Sequence, residues 1–179
     1  ALSSLNKKVL LIGADLRNPQ LHTYLKVDKQ KTGLSNYLHD ASFHWKEGLL
    51  HGFTEHPNHQ VLISGALPPN PPHLLTNGSF ETLLEEARQA YDYIVVDTAP
   101  TISVTDTLLI ADLADATVYI TRANFTEKNL LDHAMELAKH KKLKNMAMVV
   151  NSVGNSKKSG YGYKYGYNYG YGYGYGDES

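Results

Sequence analysis

Two aspartates stand where an α/β protein keeps its chemistry. The first closes an apolar run in Val9-Leu10-Leu11-Ile12-Gly13-Ala14-Asp15-Leu16-Arg17. The second follows another in Ile94-Val95-Val96-Asp97-Thr98-Ala99-Pro100. A carboxylate placed just after a short apolar run is held at the rim of a buried sheet, where it binds Mg²⁺ directly or through water. Mg²⁺ takes only one or two protein carboxylates and fills its octahedron with water and phosphate oxygens. Asp15 and Asp97, on different strands, therefore suit one nucleotide-bound ion, and Pro100 fixes the chain behind Asp97. The alternative for each is a capping role in the following turn or helix. The pair together favours the metal.

The elements that position these residues are legible as pattern. Val9–Ile12, Val61–Ile63, Tyr93–Val96, Thr117–Thr121 and Met146–Val150 are short and mostly continuous in apolar character, the mark of parallel strands covered on both faces. Helical periodicity runs from Phe80 to Tyr91, with Ser79 as a candidate cap, and from Glu127 to Leu143. Shorter helices are expected at Gly33–His39 and Thr105–Ala114. Strand and helix alternate, so the expected fold is α/β, a doubly wound, mostly parallel sheet with ligands at the C-terminal ends of its strands. His51, His56 and His59 match no zinc spacing and are expected in a loop near Pro57. Pro68-Pro69-Asn70-Pro71-Pro72 reads as a rigid connection from strand to helix, and Trp45 and Phe43 as local core.

VLLIGADLR resembles the second Walker-type motif of the bacterial tyrosine kinases (BY-kinases), and IVVDTAP resembles their Walker B motif. Gly33-Leu34-Ser35, Pro68-Pro69-Asn70-Pro71, Thr105-Asp106, Val149-Val150-Asn151-Ser152 and a Tyr-rich C-terminal tail follow in family order. The resemblance spans nearly the whole chain. It implies a fold of the P-loop NTPase (MinD/ParA-like) type and an ATP- and Mg²⁺-dependent autokinase that modifies tyrosines on neighbouring subunits of a homo-oligomer. It further implies a membrane-embedded chain-length regulator as partner, on the same or a separate chain, at the cytoplasmic face of the bacterial inner membrane, with control of capsule or exopolysaccharide synthesis and export. Position by position, Asp97 matches the Walker B metal ligand and Asp15 the second acid of a D-x-D, giving both a catalytic and metal role. Arg17, Thr98, Pro100 and Asn151 fall at nucleotide-binding positions; an ordinary turn residue is the alternative for Asn151, and a solvated charge for Arg17. The first acid of the D-x-D, the family's candidate base, is Gly13 here. That substitution favours a second reading, a MinD/ParA-like ATPase or a non-catalytic, nucleotide-responsive interaction module.

No segment matches G-x-x-x-x-G-K-[ST], whereas Ala1–Lys8 resembles the end of the helix that follows such a loop. The sequence is therefore expected to begin downstream of the phosphate-binding loop, so that residues 1–153 form a kinase catalytic domain without that segment. Without the loop's N–H groups and Lys, the chain by itself is expected neither to hold ATP tightly nor to phosphorylate. Without the central strand that precedes the loop, neighbouring strands are expected to keep unpaired edges, and the isolated chain to be poorly soluble or to depend for its fold on an added N-terminal segment.

Residues 154–179 are different in kind. Tyr161, Tyr163, Tyr165, Tyr167, Tyr169, Tyr171, Tyr173 and Tyr175 recur at every second position between glycines. With no aliphatic residue among them, a flexible, disordered tail is expected rather than a strand. The resemblance makes these eight the autophosphorylation sites; each phosphate adds about −1.5 to −2 charge, against a formal −1 for the 179-residue chain. That near-neutral balance argues against a basic nucleic-acid surface. No apolar run approaches the ~18 residues of a membrane-spanning helix, and the lack of Cys excludes thiolate chemistry.

Overall fold

The computed structural model describes residues 1–40, 42–102 and 104–154. The eight tail tyrosines lie outside the described residues. Strand β1 (Val9–Gly13) is central to a four-stranded sheet. It pairs in parallel with β3 (His56–Leu62) on one side and with β4 (Tyr93–Asp97) on the other, and β2 (Leu49–Phe53) adds an antiparallel edge to β3. A short helix, α1 (Leu21–Leu25), follows the β1 loop. Side chains alternate across such a sheet. Leu10, Ile12, Leu62, Ile94 and Val96 therefore meet one face, where Leu34 and Leu38 of α2 (Leu34–His39) and Phe80, Leu83, Leu84 and Ala87 of α4 (Ser79–Arg88) cover them. Trp45 is fully enclosed in this core and donates its indole N–H to Glu86 Oε2 at 2.9 Å. Each such side chain contributes about 1.5–3 kcal/mol by leaving water, so this face is the adhesive of the domain.

A second, two-stranded parallel sheet joins β5 (Thr117–Arg122) to β6 (Met146–Asn151), and α6 (Lys128–Lys139) is amphipathic with Ala134 and Leu137 buried. Helix α5 (Asp106–Ile110) runs into a 3₁₀ turn, Ala111–Leu113, where the reading from sequence expects a single helix from Thr105 to Ala114. The α-helix ends at Ile110, whose ψ of 0° leaves the helical range. Ile110 belongs to the first core and Ala111 to the second, so this break links the two sheets.

The sheet pairing matches the expectation of a mostly parallel α/β fold, and the expected strands and longer helices are present within a few residues. Three details differ. His51 lies on β2 and His56 and His59 on β3, not in a loop; Gly52 leaves room for the His59 ring, which stacks on Phe53 at 5.3 Å between centroids. Ser79 is the first residue of α4 rather than its cap. Gly78, at φ 89°, holds that place, and Asn77 Oδ1 accepts the Ser79 N–H at 3.0 Å. Pro71 opens a short helix, α3 (Pro71–Leu75), where Pro suits the first turn.

Among the described residues, β4 pairs only with β1 and β5 only with β6. Tyr93 and Val95 on β4 and Val118 and Ile120 on β5 remain 42–67% exposed.

Gly33 precedes α2 where the N–H groups of Leu34 and Ser35 donate to the carbonyls of Ile63 and Ser64, both at 2.8 Å. A Cβ at Gly33 would stand 2.3 Å from the Ile63 carbonyl oxygen. Gly33→Ala is therefore expected to cost about 1–3 kcal/mol in urea unfolding followed by circular dichroism. Gly78→Ala, in open space but at positive φ, is expected to cost about 1 kcal/mol.

Candidate active site

The parallel register of β1 and β4 sets Gly13 opposite Asp97. The main-chain carbonyl of Asp97 accepts N–H bonds from Ala14 at 2.7 Å and Asp15 at 3.1 Å, latching the chain that leaves β1 onto the last residue of β4. Asp15 and Asp97 are thereby brought together at adjacent strand ends. Asp15 Oδ1 accepts the N–H groups of Arg17 at 3.1 Å and Asn18 at 2.9 Å, closing an Asx-type turn. The turn role that competes with the metal reading is therefore real for Asp15, and it occupies one of the two oxygens. Asp97 holds its proton above the usual carboxylate range, chiefly because surrounding protein strips water from it and secondarily because the Asp15 charge is near. A divalent cation at this rim would offset the charge that Asp15 places beside Asp97. The donor set, oxygen only and partly open to water, fits Mg²⁺.

Arg17, expected at the nucleotide, is gripped from behind. Its Nε and Nη2 donate to Asp106 Oδ2 and Oδ1 at 2.6 and 2.9 Å, and the Asp106 side chain is 4% exposed. This two-pronged bond raises the guanidinium pKa above its ordinary value. Thr98 is half-buried and Pro100 exposed in the connection after β4. Thr107 Oγ1 donates to the Ala99 carbonyl at 2.5 Å, tying α5 to that connection. Asn151 ends β6 at the rim of the second sheet, outside the bonded group around Asp15 and Asp97. Its side-chain carbonyl accepts the Ser152 N–H at 2.7 Å, the turn role weighed for it from sequence.

Ser64 and Asp106 are structural members of the site to which sequence reasoning assigns no role. Ser64 Oγ donates to the Gly13 carbonyl at 2.8 Å, and a Cβ at Gly13 would lie 2.8 Å from that hydroxyl. A side chain at position 13 would therefore need the Ser64 hydroxyl to move. An Asp at the start of a helix normally signals only favourable placement on the helix dipole, so nothing in Thr105-Asp106 points to a partner 89 residues away.

No protein-family model matches the chain. Individual relatives do. The tyrosine-protein kinase YwqD of Bacillus subtilis (strain 168) is 36% identical over 157 residues, covering 88% of this chain and 65% of YwqD. The tyrosine-protein kinase CpsD of Streptococcus agalactiae is 35% identical over 156 residues, covering 87% of this chain and 67% of CpsD. The chain belongs to the bacterial tyrosine-protein kinase family. It spans about two thirds of the length of these relatives.

Among solved structures, the kinase domain of the Escherichia coli tyrosine kinase ETK superposes with a TM-score of 0.78 at 26% identity, over 93% of this chain and 64% of that one. MinD in its complex with MinC from Aquifex aeolicus gives 0.64 at 21% identity, over 83% and 58%, which establishes the MinD-like P-loop NTPase fold alone. In this member of the family, Asp15 and Asp97 thus lie at the C-terminal strand ends, the rim where doubly wound folds bind their ligands. No helix among the described residues is long and apolar enough to cross a membrane.

The raised Asp97 pKa has a definite sign for stability. The folded chain binds the Asp97 proton more tightly than the unfolded chain, so stability falls as pH rises from the ordinary carboxylate pKa through the folded value, and the full cost persists above it. Asp97→Asn is expected to raise the melting temperature at pH 7, with the gain vanishing toward pH 4. Calorimetry at the two pH values checks it, and added Mg²⁺ should stabilise the parent chain but not the variant.

Proposed function

We propose that this chain is the greater part of an ATP-dependent protein-tyrosine autokinase that modifies the tyrosine tails of neighbouring subunits. The observation that carries the reading is the pairing of Asp15 and Asp97 at adjacent strand ends in a chain of the tyrosine-protein kinase family. Asp97, and Asp15 through the oxygen left outside its turn, are the residues to hold Mg²⁺, which when bound neutralises charge on the transferring phosphoryl group. In the transfer itself, the bond from the γ-phosphorus to its bridging oxygen breaks and a bond to the tyrosine oxygen forms. The hydroxyl proton passes to Asp15 or to solvent. Gly13 offers no base, and phosphoryl transfer rests mainly on positioning and charge stabilisation. Thr98, Pro100 and Asn151 are assigned to the nucleotide.

The phosphate loop is assigned to a segment beyond this sequence, consisting of a strand and the helix after it. Supporting this are the single-sided pairing of β4 and β5, their exposed apolar residues, and an open hollow of about 700 Å³ bordered by Leu2, Val9, Leu11, Phe53 and Val95. A parallel strand between β4 and β5 would join the two sheets, and its helix would cover the hollow. Calorimetric titration of this chain alone is expected to show no micromolar affinity for ATP·Mg²⁺, and the chain extended by such a segment to show it.

The tail tyrosines Tyr161 to Tyr175 are the proposed acceptors, presented in trans within a homo-oligomer. A membrane-embedded chain-length regulator, on the same or a separate chain, is the proposed partner at the cytoplasmic face of the inner membrane, with capsule or exopolysaccharide export as the regulated process. Phosphotyrosine mass spectrometry on the extended protein with ATP·Mg²⁺ is expected to find tail phosphorylation, lowered about a hundredfold or more by Asp97→Asn. The lack of an acid at Gly13 favours the second reading, a MinD/ParA-like ATPase or a nucleotide-responsive module without kinase activity; nucleotide binding without phosphotyrosine would support it.

A further inference from the structure

Asp106 takes no part in the proposed chemistry, yet it is the one acidic side chain that the described structure buries almost completely. Burying a carboxylate is costly unless it is paired and hydrogen-bonded. Both Asp106 oxygens are committed to Arg17, and they are engaged by Nε and Nη2, the edge that matches a carboxylate best. Arg17 is in turn bound at its other end, since its main-chain N–H donates to Asp15 Oδ1.

The links form a closed circuit. The Asp97 carbonyl holds the Asp15 N–H, and the Asp15 carboxylate holds the Arg17 N–H. The Arg17 guanidinium holds Asp106, and Thr107, the next residue of α5, holds the carbonyl of Ala99 two residues past Asp97. Every bond but one in this circuit involves main chain, and the exception is the pair of side chains that spans from the β1 loop to α5.

We infer that Arg17 and Asp106 are a positioning pair, which fixes the Asp15 turn against the end of β4, and that Arg17 is not a phosphate ligand. The inference rests on the reading of Asp15 and Asp97 as one cation site only for its consequence; the pair itself is defined by geometry. Lys at position 17 would keep the charge but not the fork.

Amide hydrogen exchange on the protein extended by the phosphate-loop segment, followed residue by residue by NMR, tests the pair without any ligand. Asp106→Asn keeps the shape and removes the charge. It is expected to speed exchange of the Asp15, Arg17 and Asn18 amides about tenfold, the scale of a lost charge-assisted hydrogen bond, while Leu10 and Leu11 in β1 stay within about twofold. Arg17→Gln, on a side chain 43% exposed, should accelerate the same amides. The double variant should add nothing further, as for two halves of one interaction. If Asp106→Asn does not fold, Arg17→Gln alone gives the same local reading. Unchanged exchange in the Asp15 turn, equal acceleration throughout β1, or additive single effects would each overturn the pair.

Mn²⁺ titration followed by electron paramagnetic resonance supplies the consequence. Affinity is expected to fall about tenfold in Asp106→Asn, the usual cost of losing an outer support of a metal ligand. A parent chain that bound no Mn²⁺ would refute the cation site and leave the exchange result to decide the pair. Tighter binding of inorganic phosphate in Asp106→Asn would identify Arg17 as a freed phosphate ligand and refute the inference.

Discussion

The candidate site depends on one ladder, the parallel pairing that sets β1 beside β4 with Gly13 opposite Asp97. That register is enforced from the core side. Because side chains alternate with period two, a slip of one residue would turn Leu10 and Ile12 out of the core and bring Val9 and Leu11 into it. The same slip would carry the Asp97 carbonyl away from the N–H groups of Ala14 and Asp15. Apolar packing between α2, α4 and the sheet thus decides, at a distance, where two carboxylates meet.

The rim built on this ladder is divided by function. Main-chain groups hold the loops, as when the Ile63 and Ser64 carbonyls receive the start of α2, whereas the Asp97 carboxylate is left with a raised pKa, to which the nearby Asp15 charge adds. If Asp97 holds a cation as proposed, its raised pKa is a cost to the empty chain that the bound ion would offset, the ordinary trade between stability and binding. The second sheet joins through adjacent residues, Ile110 in one core and Ala111 in the other, so the two units share a single short connector at this point.

Much of this was legible in the sequence, for a local reason. Val9–Ile12 and Tyr93–Val96 are continuous apolar runs, and an acid at the end of such a run can be located without knowing its partner. The failures were non-local. His51, His56 and His59 were expected in a loop near Pro57; pairing between Leu49–Phe53 and β3 makes both segments strands. The Arg17–Asp106 bond joins residues 89 apart and leaves no periodic trace. Gly13 was visible as a missing acid, but only the neighbouring Ser64 hydroxyl shows that the space is taken. The tail was legible by composition alone, and its residues lie outside the described structure.

The latch at Asp97 is made by its carbonyl oxygen, an atom that every amino acid possesses. The carboxylate, by contrast, contributes nothing to holding the β1 loop in place. The architectural role and the proposed chemical role thus fall on different atoms of the same residue. In evolutionary terms, if Asp97 has its proposed role, a single codon change at this position would remove the carboxylate while leaving the carbonyl latch in place, a short path from an active chain to a binding scaffold.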